Sequence, residues 1–238
     1  MGDRVRFFSA GPISILMIII IIGLAIILIP LLILGIIGAA FTRLGFSWIS
    51  ALVVVLLMAF GSFVNIPVYR IRREVVQVAR DEAPDFDVCV PCASPHVWDT
   101  LVSINLGGAV IPMCVSLYIM YTTFMIVGIS LIFTVSIGIA LVGIIAFIST
   151  RLVTCAGIQV SLLIPGLTAL LAGLLLAGGT GLTAAVTAFV SGTTGVLLGG
   201  NIANFYRLKN LEVTEVSFGG TGTFGSIFIC CILPALIA

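Results

Sequence analysis

Seven long apolar runs constrain this chain more than any other feature. A run of about 20 apolar residues is the length that crosses a bilayer, and few soluble folds can bury seven of them. The runs cover about Pro12 to Phe41, Trp48 to Val68, Leu101 to Tyr121, Phe124 to Ile148, Gln159 to Ala177, Leu182 to Phe205 and Gly222 to Ala238. Only 8% of the residues are charged and 61% are hydrophobic, whereas soluble domains carry about 25% charged residues. The expectation is an all-α integral membrane protein with about seven transmembrane helices, a single transmembrane domain over residues 1–238. A net charge of +1 gives no ground for nucleic-acid binding, so the lipid bilayer is the first expected partner.

Arg4 and Arg6 precede the first run as basic residues precede a signal sequence. The run is longer than the roughly 7 to 15 residues of a signal core, so a retained first span kinked at Pro30 is expected. Gly2 lacks the Ser or Thr that myristoylation needs four residues on, where Arg6 stands, and no lipid anchor is expected. With seven spans, one side collects Arg4, Arg6, Arg70, Arg72, Arg73, Arg80, Arg151, Arg207 and Lys209, and the other only Arg43. Basic residues accumulate on the cytoplasmic side. This split predicts an inside N-terminus, an outside C-terminus and a place in the cytoplasmic membrane.

The largest segment between runs, residues 69–98, is expected to be a cytoplasmic loop. Ile71, Val75, Val76 and Val78 among charges suggest a short amphipathic helix there, ended by Pro84, with Trp98 as an interfacial anchor. Tight uncharged hairpins are expected at Tyr121–Thr123 and at Gly178–Gly181. NIPVYRIR at 65–72 matches NIANFYRLK at 201–209, and VSINLGG at 102–108 matches VSFGG at 216–220. A parallel repeat of three spans, one span and three spans would account for both pairs.

Ala188, Gly192, Gly195, Gly199 and Ala203 recur at helical spacing in the sixth run and are expected to form a helix-packing stripe. Gly219, Gly220, Gly222 and Gly225 lead into a last run of only about 17 residues, where irregular backbone would have to be buried or line a wet cavity. Asn65, Asn105, Asn201 and Asn204 are the strongest polar side chains near span ends. Together with those glycines they are the candidates for a cavity or substrate path, the alternative being that they satisfy backbone groups at helix breaks. No Asp, Glu, Lys, Arg or His lies inside a run, which argues against proton relays and carboxylate catalysis.

Cys114, Cys230 and Cys231 fall within runs, where cysteine behaves as a small apolar residue. Cys89 and Cys92 form C-V-P-C, His96 follows, and Cys155 lies in another loop of the same side. Four such ligands could hold zinc or an iron–sulfur cluster. A single C-x-x-C is a sparse signal, and free thiols with no cofactor are the default.

GSFVNIPVYR closing the second run, INLGGAVIP opening the third, Gly157-Ile158, GVLLGGNIAN closing the sixth and GGTGTFGSIF opening the seventh form a specific combination. Over nearly its whole length the chain resembles a prokaryotic family of polytopic membrane proteins, domain of unknown function 1614. The resemblance implies an aspartate where Asn201 stands and another where Gly225 stands. Two facing aspartates would look like the site of an intramembrane aspartyl protease, in which paired carboxylates share a proton. This chain has neither, so a family activity depending on them would be lost here, and no catalytic residue is assigned.

The resulting expectation is a non-enzymatic multi-pass protein, either a permease-like or channel-like unit or a subunit of a larger membrane complex, with homo-oligomeric or membrane partners. The alternatives are a degenerate intramembrane aspartyl protease and a cytoplasmic-face metal or redox sensor using Cys89, Cys92 and His96.

Overall fold

The computed structural model describes residues 22–24, 26, 34–35, 37–38, 41–42, 44–75, 96–153, 157–207 and 215–235. It is mostly helical. Backbone at the described positions up to Thr42 is helical, and six bounded helices follow: α1 (Trp48–Gly61), α2 (Leu106–Val127), α3 (Ser130–Ser149), α4 (Ile164–Leu176), α5 (Leu182–Phe205) and α6 (Phe224–Ala235). Three of them, α2, α3 and α5, have the length and apolar composition to cross a membrane, with 22, 20 and 24 residues. At 1.5 Å per residue these measure about 30–36 Å.

Local chemistry sets the helix ends. Ser47 caps α1, its hydroxyl accepting from the Ser50 amide at 3.2 Å. Pro165 sits in the first turn of α4, where a missing amide costs nothing. The chain reverses after α2 at Gly128, whose φ of 81° is a left-handed value that glycine adopts without strain. The hairpin expected at Tyr121–Thr123 is therefore corrected, since α2 runs through those residues. The Thr122 hydroxyl donates to the carbonyls of Tyr118 and Ile119, each at 3.1 Å, so it satisfies itself within the helix and ends nothing. The other hairpin falls at Gly178–Gly181, as its composition suggests.

The loops at one end of the helices are not helical. β1 (Asn65–Val75) and β2 (His96–Asn105) form an antiparallel hairpin, and β5 (Glu215–Phe218) adds to β2 in parallel. β3 (Arg151–Val153) and β4 (Gly157–Gln159) make a second small hairpin. An all-α description thus holds for the spans and not for these connections. The amphipathic helix expected within 69–98 is replaced by extended backbone over 69–75 and 96–98, and residues 76–95 lie outside the described residues. The second run leaves the helix at Gly61 rather than Val68, and the third begins as strand until Asn105. Short apolar runs rich in Val and Ile suit a strand as well as a helix, and pairing decides between them.

Every charged residue among the described ones, from Arg70 to Glu215, lies at this sheet end. Val160, just after β4, donates its amide to the Gly222 carbonyl at 3.0 Å, tying the loop before α4 to the loop before α6.

α5 is the central helix. In its most apolar window 78% of residues are buried, against 28% for α2 and for α3. A Cβ on Gly192 would stand 2.8 Å from Cys230 Cβ on α6, and one on Gly195 would stand 2.8 Å from Val142 Cβ on α3. One on Gly199 would run into the Gly143 carbonyl, and Ala188 lies against Gly173 of α4. These residues of the expected stripe thus meet three different helices, while Ala203 is exposed. Ser116 and Thr193 share a buried hydrogen bond of 2.7 Å between α2 and α5.

Alanine normally stabilises a helix relative to glycine by up to about 1 kcal/mol. At Gly199 the sign reverses, because the added methyl meets backbone: Gly199→Ala is expected to destabilise by about 1–3 kcal/mol. Ala203→Leu is expected to change stability by less than about 0.5 kcal/mol. Thermal unfolding of both variants in detergent checks the contrast.

Candidate functional site

Two turns of the helices are wound as π-helix, Leu106–Val110 at the start of α2 and Val196–Ile202 near the end of α5. Such turns leave the regular ladder of backbone hydrogen bonds and are frequent at functional sites. Each carries a Gly-Gly pair, and both border one apolar hollow of about 340 Å³. Ala109, Val110 and Met113 form one wall, Leu197, Leu198 and Ile202 the other, with Ile104 and Phe218 from β2 and β5 closing the sheet end.

Behind the first π turn the backbone is pinned by Asn105, which is 1% exposed. Its amide nitrogen donates to the Ser62 carbonyl at 2.7 Å and to Asn65 Oδ1 at 2.9 Å, while its Oδ1 accepts from the Gly108 amide at 2.8 Å. One side chain thereby joins the end of α1, the start of β1 and the start of α2. Gly107 lies against backbone of Met58, Gly61 and Ser62, and Gly108 against Gly219. Three segments cross there with no room for a Cβ.

The network continues along the sheet. Asn65 Oδ1 also accepts from Ser217 Oγ at 2.8 Å, and Asn65 donates to Glu215 Oε1 at 3.4 Å. Ser103 Oγ, almost fully buried, donates to the same carboxylate oxygen at 3.2 Å. Ser103 and Ser217 face each other in the parallel register of β2 and β5, which also sets Val102 against Val216 and Ile104 against Phe218. Ser103, Ser217 and Glu215 were not among the sequence candidates. The matched VSI and VSF segments carried the signal, since a hydroxyl recurs at the same place in both.

Asn201 is fully buried in the second π turn and points at the loop before α6. It donates to Thr223 Oγ1 at 3.5 Å, and its Oδ1 has no hydrogen-bond partner among the described residues. Ser226, one turn further along α6, also has a buried hydroxyl without a partner. Gly222 is held against Ile158, and Gly220 against Ser217. Gly225 faces Leu162, with a Cβ there 2.7 Å from Leu162 Cδ1. A Cβ at 225 would therefore meet Leu162, with no atom of Asn201 within 4 Å of it.

Asn204 belongs to a separate group. It donates to the carbonyls of Gly199 and Gly200 at 3.0 and 3.2 Å and to Phe147 at 3.4 Å, and accepts from Arg207 at 2.9 Å. The four asparagines thus divide, with Asn65 and Asn105 in one network and Asn201 and Asn204 each in another. Cys89, Cys92, Cys155 and the side chain of His96 lie outside the described residues. Among the described residues no group of three His, Cys, Asp or Glu side chains could hold a metal.

Three helices of this length and apolarity, with neutral polar groups buried between them and, among the described residues, charge confined to one end, point to a helical membrane protein. The family described as protein of unknown function (DUF1614) matches residues 59–237, and the chain belongs to it. No curated protein and no solved structure matches the chain.

Removing the Asn105 side chain strands the Ser62 carbonyl and the Gly108 amide together. Asn105→Ala is expected to cost roughly 1–3 kcal/mol, and Asn65→Ala, at an exposed position, about 0.5–1 kcal/mol. Unfolding of the two variants in the same detergent, compared with the parent chain, measures the difference.

Proposed function

We propose that the protein is a non-enzymatic, multi-pass unit of the cytoplasmic membrane that acts as a permease for small uncharged polar molecules. The observation that carries this reading is the set of buried polar atoms without partners among the described residues, on the central helix and its neighbour: Thr187 Oγ1 and Asn201 Oδ1 on α5, and Ser226 Oγ on α6. Burying such an atom unpaired costs about 1–3 kcal/mol, a cost that a bound or passing neutral molecule would offset. Residues 187 and 201 lie about 21 Å apart along a helix, so these groups are spread through the depth of the span. The absence of ionisable groups from the apolar runs argues against coupling to protons through the protein's own side chains.

The orientation proposed is N-terminus inside and C-terminus outside, supported by the nine-to-one division of basic residues. A parallel repeat of three, one and three spans is supported by the pairing of VSI in β2 with VSF in β5, each leading through glycines into a helix. The degenerate-protease reading is disfavoured because position 225 faces Leu162 and not Asn201. A role as a subunit of a larger membrane complex is the other form of the proposal.

Vesicles reconstituted with the chain are expected to swell faster in glycerol or urea than empty vesicles. Asn201→Leu keeps the branched outline of the side chain and removes its polar atoms, so it is expected to slow that flux about tenfold. No flux, together with a fixed partner retained through mild-detergent purification, would leave the subunit form standing and remove the permease. For orientation, single cysteines at Arg151 and Gly179 in a cysteine-free background are expected to react with an impermeant maleimide from opposite sides, 151 from the cytoplasm.

A further inference from the structure

One cationic feature lies outside the network around Asn105 and the hollow between the π turns. Arg207, just past the end of α5, is exposed, and the single ion pair among the described residues, Arg72 with Asp99 at 3.3 Å, does not involve it. Its guanidinium is nevertheless held in place. It donates to Asn204 Oδ1 at 2.9 Å and stands 5.8 Å from the centroid of the Phe147 ring on α3. Asn204 is itself anchored to the carbonyls of Gly199, Gly200 and Phe147. A guanidinium has five N–H donors, and one of these bonds leaves most of them to meet something else.

Directly below runs an apolar groove of about 630 Å³ along the seam of α3 and α5, lined among others by Ile139, Gly143, Phe147, Leu198, Gly199 and Ala203. From Phe147 to Ile139 it follows eight residues of α3, about 12 Å towards the centre of the span. Gly199, Ala203 and Arg207 are spaced four apart, so the groove floor leads up one face of the chain to the guanidinium. Arg151, also exposed, follows three residues after Ile148, which borders the same groove.

We infer that this groove and Arg207 form one site for a phospholipid with an anionic headgroup, its acyl chain in the groove and its phosphate against the guanidinium, with Arg151 at the flank. The charge decides the occupant. An apolar helix from another protein would fill the groove and leave the cation at its mouth uncompensated, whereas a soluble anion would use the cation and leave the groove empty. A bilayer phospholipid supplies both parts at the right depth, and basic residues at the interface attract anionic headgroups about five-fold each.

The test is native mass spectrometry of the full chain in mild detergent with equal amounts of phosphatidylglycerol and phosphatidylcholine of the same acyl composition. Phosphatidylglycerol is expected to be retained in preference. Arg207→Gln is expected to lower that retention about five-fold, and Ala203→Phe, at an exposed position that fills the groove, to lower it with the unfolding temperature unchanged. Arg70→Gln, on the exposed part of β1, is the control and is expected to change nothing. Equal retention of the two lipids, or equal losses in the Arg207 and Arg70 variants, would reduce the effect to diffuse surface attraction and overturn the site. Retention untouched by Ala203→Phe would remove the groove from it and overturn it equally. If Ala203→Phe instead releases a co-purifying membrane protein while lipid retention is unchanged, the groove docks a helix and the proposal falls. Should Arg207→Gln fail to fold, Ala203→Phe and the comparison of the two lipids decide alone.

Discussion

The structure depends on how closely other backbones approach α5. Between helices in hydrocarbon no water is released on association, so what holds them is contact at short range and the few hydrogen bonds that reach across. Such contact requires that side chains be small where axes converge. Gly143 against Gly199, Gly173 against Ala188 and Gly192 against Cys230 bring three helices onto one, and the Ser116–Thr193 bond adds a fourth. Large side chains occupy the places left between these contacts, as Phe189 does beside Phe41, their ring centroids 5.9 Å apart.

Close packing of that kind leaves polar groups few exits, and the two π turns are where the chain handles them. At the first, Asn105 accepts from one backbone amide and donates to a carbonyl of another element, so the irregular turn is satisfied by one side chain. At the second, Asn204 satisfies the carbonyls of Gly199 and Gly200, while Asn201 is left with an oxygen that no group among the described residues reaches. Similar glycine pairs thus sit in two different electrostatic settings, one with its side-chain amide fully paired and one with an amide oxygen left unpaired among the described residues.

Much of the helical framework was legible in the sequence because apolar length is a strong signal: α5 occupies the same residues as the sixth run, Leu182 to Phe205. The departures have physical causes. Tyr121–Thr123 looks like a break, yet threonine hydroxyls can be absorbed by carbonyls of the preceding turn. Asn65–Val75 reads as the tail of one span and the start of a loop, whereas it pairs with a strand that begins at His96. The intervening residues conceal that pairing from any local pattern. Of the candidate site residues, Asn65 and Asn105 were visible as unusual amides, but Glu215 was one acidic residue among nine.

By itself the sequence determined that this chain has the composition of a membrane protein, which segments are apolar enough to be spanning helices, and that its charges stay out of them. Those properties follow from composition and period, which each residue carries wherever it is placed. Only the tertiary structure decided that α5 is central, that Ser103 meets Ser217, and that position 225 lies against Leu162. These are relations between segments far apart in the chain, fixed by which small residues allow two backbones to touch, and no single segment contains that information.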